Sequence, residues 1–233
     1  MRPDCLVWLR ASEDSLDPSF ADLGLPVLHI PAVAYGLKAD VGEWDILPEL
    51  YPDAWLILPS RRAAEFWLSL CPKGDSRLAG IACVGQNAPR LLQSLDLEVR
   101  SFPTMRQLAA SFESRTSFLY MGSSHVRKED REVLHRGSHQ VLFRVLYDVE
   151  ELECQEAIQN LYRNYQNPGF LVLAPSQVHC LHPQDQGVLF CMGRRSFETL
   201  LSRGFSRVYA SDEPNLSGLR ETVARILEEE SCL

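Results

Sequence analysis

Serines, glycines and arginines recur in this sequence where apolar runs give way to helix-like stretches. Ser60 and Arg61 follow "WLILP", and Gly85 and Gln86 follow "IACV". Gly122 and Ser123 follow "SFLYM", Ser176 and Gln177 follow "LVLAP", and Gly193, Arg194 and Ser196 follow "VLFCM". Arg10 ends the apolar run "CLVWL". At a strand-to-helix turn, backbone N–H groups and the helix dipole attract anions, and ligands of open α/β sheets collect beyond the carboxyl ends of the strands. The chemistry suggested is the holding of carboxylates. Arg61-Arg62 and Arg194-Arg195 each open a helix, where the dipole disfavours a cation. A polycarboxylate ligand would explain that placement, and solvated surface charge would explain it equally well. Gly85 and Gly193 likewise read either as anion-binding turns or as tight-turn glycines. Tyr147 ends the run "QVLFRVLY", where its phenol can act as a positioned hydrogen-bond donor or pack as a half-buried aromatic.

Other chemistries find less support. "HCLH" (179–182) has metal-ligand residue types, but no second ligand pair accompanies it, and no metal is expected. "GQNAPR" and "GRRSFE" lack both the glycine spacing of a dinucleotide fingerprint and the lysine of a phosphate loop, which argues against either motif. Ser60 and Ser176 lie outside G-x-S-x-G, which argues against a hydrolase nucleophile. "RKEDRE" (127–132) reads as a solvated helix face.

The elements that must position these residues alternate. Short apolar runs at 5–9, 26–31, 53–59, 78–85, 117–122, 140–149, 169–176, 187–193 and 206–211 read as strands. Amphipathic stretches separate most of them, which predicts parallel sheets with helices on both faces. Three blocks then recur in order: "WLILPS" with "LVLAPS", "CVGQNAPRLL" with "CMGRRSFETL", and "TMRQLAASF" with "NLSGLRETV". The ordered series predicts two similar α/β domains. Each copy is preceded by one strand–helix–strand unit, "CLVWLR…PVLHIP" before the first and "SFLYMG…VLFRVLYDV" before the second, and if each domain needs one, the N-terminal unit is free to pack with the second copy. The expected domains are 1–32 with 150–233, and 35–146. Two crossovers, 31–45 and 147–154, would join them, with hinge positions near 31–36 and 147–152.

Composition bounds the rest. The chain has 233 residues, 45% of them hydrophobic and 23% charged, with a net charge of −8. That balance argues against nucleic acid or an anionic membrane as partner, and leaves room for an anionic small ligand in a locally positive pocket. No apolar run is long enough to span a membrane, and "MRPDCLVWLRASED" lacks the pattern of a signal peptide. Seven cysteines without a CxxC are expected as free thiols in a reducing cytoplasm.

Taken in order, the blocks resemble the uroporphyrinogen-III synthase family. "VWLR" with Arg10 resembles its first strand end, and "LILPSRRAAEF" its first Thr-Ser-Pro-like turn. "VGQNAPRLL" resembles its first glycine block, and "FLYMGSS" its "LL-x-x-G" block. "RVLYDVE" places Tyr147 where the family has Tyr. "VLAPSQV", "CMGRRSFETL" and "NLSGLRETV" resemble the second half. Pro-Ser replaces Thr-Ser at both strand ends, and Ala88 stands where the first glycine block often has Thr; Ser196 keeps a hydroxyl in the second. The resemblance covers the whole chain and implies two α/β domains joined by a two-segment crossover. It also implies a cofactor-free and metal-free monomer. The implied reaction closes hydroxymethylbilane to uroporphyrinogen III, with loss of water and inversion of ring D through a spiro intermediate. Tyr147 would assist the departing hydroxyl. Arg10, Ser60, Arg61, Gly85, Gln86, Gly122, Ser123, Ser176, Gln177, Gly193, Arg194 and Ser196 would bind substrate. A two-domain small-molecule-binding protein, or a non-catalytic homologue of the synthases, is the alternative.

Overall fold

The structure is a computed structural model that describes residues 2–11, 14, 17–38, 46–113, 115–126, 128–184 and 187–230. Its elements run β1 (Cys5–Ala11), a 3₁₀ helix (Pro18–Leu23), β2 (Val27–Leu37), α1 (Leu47–Leu50), β3 (Trp55–Leu58), α2 (Arg61–Leu70), β4 (Gly80–Val84) and α3 (Asn87–Leu92). Then follow β5 (Val99–Phe102), α4 (Met105–Ala110), β6 (Ser117–Ser123), α5 (Lys128–Arg136), β7 (Gln140–Glu151) and α6 (Gln155–Asn164). The last are β8 (Pro168–Val172), a second 3₁₀ helix (Pro175–Cys180), β9 (Val188–Cys191), α7 (Arg194–Ser202), β10 (Val208–Ala210) and α8 (Leu216–Glu229). The chain divides into two compact units, residues 1–34 with 150–233, and residues 35–149.

In the discontinuous unit the strand order is β10-β9-β8-β1-β2. The ladders β10–β9, β9–β8, β8–β1 and β1–β2 are parallel. Successive side chains of β1 point to opposite faces. Cys5, Val7 and Leu9 pack with Ile158 and Leu161 of α6 and Leu200 of α7. Leu6 and Trp8 pack with Phe20 and with Leu219, Val223 and Ile226 of α8. A strand buried on both faces must read as an unbroken apolar run, which is why "CLVWL" shows no alternation.

In the contiguous unit the order is β7-β6-β3-β4-β5, and these ladders too are parallel. Leu56 and Leu58 of β3 pack with Ala63, Ala64 and Trp67 of α2 and Ala88 and Leu92 of α3. Trp55 and Ile57 pack on the other face with Met105 and Leu108 of α4 and Leu134 of α5.

The chain passes from one unit to the other within β2 and within β7. Much of the first expected crossover is therefore strand, since β2 continues to Leu37. Its backbone stays paired on both sides of the passage. The Leu152 N–H donates to Ala32 O at 3.0 Å, and the Lys38 N–H donates to Leu146 O at 3.1 Å. The positions 39–45 of that expected crossover lie outside the described residues.

The cysteines require a correction. Cys154, at the start of α6, and Cys180, at the end of the second 3₁₀ helix, form a disulfide with Cα atoms 5.6 Å apart. Both side chains pack into the same core face, so tertiary packing pairs residues that lie 26 positions apart. Cys5, Cys83 and Cys191 remain buried thiols.

Candidate active site

In the contiguous unit, Tyr147 meets two other positions named from sequence, Ser60 and Ser123. It sits on β7 opposite Ser123 of β6, where the register shifts between Gly122 and Ser123. Its hydroxyl lies 3.2 Å from Ser60 Oγ. Ser60 is the N-cap of α2, and its Oγ accepts the Ala63 N–H at 3.1 Å. A serine in this position satisfies a backbone donor that the helix leaves unpaired, which fixes the hydroxyl in space. Phe66 stacks on the Tyr147 ring at 5.1 Å, and Tyr35 meets it edge-on at 5.8 Å. The Arg62 guanidinium lies 4.5 Å over the Tyr35 ring and pairs with Glu65 at 3.2 Å.

Burial pushes the Tyr147 hydroxyl above the ordinary phenol range. The Ser60 hydrogen bond, the Arg62 charge and a Ser123 hydrogen bond oppose that rise, and Glu65 adds to it. Desolvation prevails, so at neutral pH the group is a protonated donor. Tyr147, Ser60 and Ser123 were candidates from sequence and Arg62 was considered there only as a helix-opening cation, whereas Tyr35 and Phe66 had no site role. The missing signal was the cap. With Ser60 fixed as N-cap, Arg62 and Phe66 are an i, i+4 pair on one face of α2.

The other expected residues of this unit hold different posts. Arg61 is exposed and pairs with Glu65 at 2.8 Å. The Gly85 N–H donates to Phe102 O at 2.9 Å in the ladder with β5, so it is not open to a ligand carboxylate. Gly85 has φ +83°, which glycine alone adopts without strain. The exposed Gln86 stands at the N-cap position of α3 without a side-chain capping bond. Gly122 is a close-approach glycine, because a Cβ there would meet Tyr120 Cε1 at 2.9 Å and Pro59 Cγ at 3.1 Å.

The discontinuous unit repeats the plan with different details. Ser176 does not cap a helix as Ser60 does; it lies inside the second 3₁₀ helix, whose N-cap is Ala174. The buried Gln177 takes over the capping, its Oε1 accepting from the Leu173 and Ala174 N–H groups at 2.7 and 3.1 Å. Gly193 is the N-cap of α7, and Ser196 is buried in the first turn of that helix. Arg194, largely exposed, pairs with Glu198 at 2.8 Å. Arg10 pairs with Asp14 at 2.9 Å and lies 5.5 Å over the Trp8 ring. The helix-opening cations Arg61 and Arg194 thus have a carboxylate one turn on, and their placement does not require an acidic ligand.

Among the described residues, one group of potential metal donors converges: Cys154, His179 and Cys180. The structure supplies to "HCLH" a partner, Cys154, that the sequence did not reveal. Two of the three donors are bonded to each other.

A family profile described as "Uroporphyrinogen-III synthase HemD" matches residues 14–221. The chain belongs to the uroporphyrinogen-III synthase family. The members of this family are cyclising lyases of tetrapyrrole biosynthesis. Solved structures agree on the fold. The chain is similar to a uroporphyrinogen-III synthetase from Helicobacter pylori, with TM-score 0.67, 15% identity, and 97% of this chain and 100% of that one covered. It is also similar to a uroporphyrinogen III synthase from the extremely thermophilic bacterium Thermus thermophilus, with TM-score 0.52, 15% identity, and 97% and 99% covered. A mutant of the latter in a second crystal form gives TM-score 0.61 at 16% identity, with 97% and 99% covered. No curated protein sequence matches. Among the described residues no helix is long and apolar enough to cross a membrane.

Proposed function

We propose that this chain closes hydroxymethylbilane to uroporphyrinogen III with ring D inverted, and that Tyr147 assists the loss of water. The departing hydroxyl needs a proton or a strong hydrogen bond as its C–O bond breaks. A phenol that burial keeps protonated, and that is anchored at 3.2 Å from a capping serine, is suited to that task. This observation carries the proposal. Ser60 and Ser123 are positioning residues for the phenol, and the Arg62–Tyr35 pair covers its ring. Arg61 and Gln86 in the contiguous unit contribute contacts to the carboxylates. Arg10, Ser176, Gly193, Arg194 and Ser196 do so in the discontinuous unit. Gly85, Gly122 and Gln177 support the backbone. The working form is a cytoplasmic monomer, which light scattering and cell fractionation test.

The decisive experiment is incubation with enzymatically made hydroxymethylbilane, followed by separation of the uroporphyrin isomers. Spontaneous closure gives type I. Type III as the dominant product is expected, and type I alone would leave a binding protein.

A further inference from the structure

We propose that Cys154 and Cys180 form a reversible thiol–disulfide site served by His179, which takes low-molecular-weight disulfides of the glutathione class as its reaction partner. The residues around the pair provide for both states. Leu152 O lies 3.3 Å from Cys154 Sγ in the disulfide, within reach of the S–H that reduction would create. His179 Nε2 lies 3.4 Å from Cys180 Sγ. The ring's other nitrogen, Nδ1, donates to Ser176 O at 2.7 Å, which leaves the Nε2 lone pair to receive the Cys180 proton. Nε2 also lies 3.1 Å from Leu152 O, so the imidazolium that results has a carbonyl acceptor at each nitrogen.

Placement separates this pair from the other buried cysteines. Cys5, Cys83 and Cys191 lie in strands, and burial pushes each up to about 12, where the reactive thiolate is scarce. Cys154 and Cys180 sit instead at element ends, one opening α6 and one closing a six-residue 3₁₀ helix. Short 3₁₀ segments have poor hydrogen-bond geometry, and local opening there exposes the sulfurs without unfolding the sheet. The exposed Gln155–His182 contact, on the residues flanking the pair, is what such opening must break.

In the forward step His179 Nε2 takes the Cys180 proton. The thiolate attacks one sulfur of the small disulfide, forming a mixed disulfide and expelling a small thiolate, which the imidazolium reprotonates. The Cys154 thiol then loses its proton and attacks Cys180 Sγ. The protein disulfide forms and a second small thiol leaves. Two protein thiols are oxidised, and one small disulfide is reduced to two thiols. The bond fastens the segment leaving β7 to the 3₁₀ helix that carries Ser176 and Gln177, so oxidation stiffens that helix. The inference does not depend on the role given to Tyr147.

The test equilibrates the full chain with mixtures of reduced and oxidised glutathione, then alkylates free thiols and reads each cysteine by mass spectrometry. Cys154 and Cys180 are expected to cross together from alkylated to linked as the oxidised share rises, with Cys5, Cys83 and Cys191 unreactive throughout. Hydrogen exchange over 173–181 should slow in the linked form. In His179→Gln the linking rate should fall about tenfold or more, while Cys154→Ser and Cys180→Ser should each trap the mixed disulfide or the single thiol. A pair that stays linked until the protein unfolds would overturn the proposal. So would thiols that never link, an unchanged rate in His179→Gln, or a stoichiometric zinc ion on the reduced pair that resists glutathione disulfide.

Discussion

The Tyr147 hydroxyl lies 3.2 Å from a serine oxygen that is already accepting a helix N–H, so Ser60 joins a candidate acid to the start of α2. Because the Ala63 N–H occupies one lone pair of Oγ, the serine is held in a single rotamer and the phenol has a fixed partner. Removing the two hydroxyls should therefore have different consequences.

Tyr147→Phe deletes only the donor. Its ring contacts with Phe66 and Tyr35 survive. Thermal stability should stay close to the parent's, while type III formation slows by ~10-fold or more. Initial rates and melting curves measured on one preparation check this, and full activity in a stable variant would assign Tyr147 to packing. In the parent, the alkaline limb of the pH–rate profile should lie above the ordinary phenol value of about 10, because the raised Tyr147 remains protonated there.

Ser60→Ala and Ser176→Ala should part company although the two serines occupy matching places in the repeat. The first loses a helix cap and should cost about 1 kcal/mol. The second caps nothing and should stay within about 0.5 kcal/mol. Urea denaturation of both variants decides it, and equal losses would contradict the capping geometry.

Asp75 predicts the acid limb of stability. Its carboxylate accepts from Arg77 Nε and N at 2.9 and 3.0 Å, and its other oxygen accepts from the same guanidinium at 2.7 Å. These bonds hold its pKa below the usual 3.8. A group lowered on folding contributes stability above its unfolded pKa and loses it as pH falls through the folded value. The parent should thus lose stability below about pH 4 more steeply than Asp75→Asn. At neutral pH the variant should be weaker by about 1–3 kcal/mol. Melting temperatures at stepped pH values test both statements.

Trp8→Ala should be the most damaging of these substitutions. The indole is fully buried and meets Phe20 edge-on at 4.9 Å. The cavity should cost about 3–5 kcal/mol, read from denaturant midpoints.

The parallel α/β class was legible because strands buried on both faces must be continuous apolar runs, and "CLVWL", "WLIL" and "FLV" are such runs. The β5 strand escaped notice for the opposite reason. "VRSF" is an edge strand with Arg100 and Ser101 exposed, so it carries no apolar run. Ser60 and Tyr147 were each visible as strand-end residues, but their contact spans 87 positions and depends on how β7 is registered against β6. The repeat misled at Ser176, where a six-residue 3₁₀ helix replaces the ten-residue α2. The disulfide was hidden because its halves carry no local motif, only a shared core face.

One strand pairing bears on how the chain is made. β1 lies beside β8, with Cys5 opposite Pro168 and Leu9 opposite Val172. On a ribosome the first of these partners is synthesised early and the second only after the whole of residues 35–149 has emerged. At roughly 5–20 residues per second, β1 spends about 8–30 seconds with one open ladder edge. The nascent contiguous unit has all five of its strands before β8 exists. Synthesis therefore imposes an order in which the inserted unit closes first and the unit that needs both β1 and β8 closes last. During that wait the backbone donors and acceptors on that edge of β1 have water, not β8, as partner.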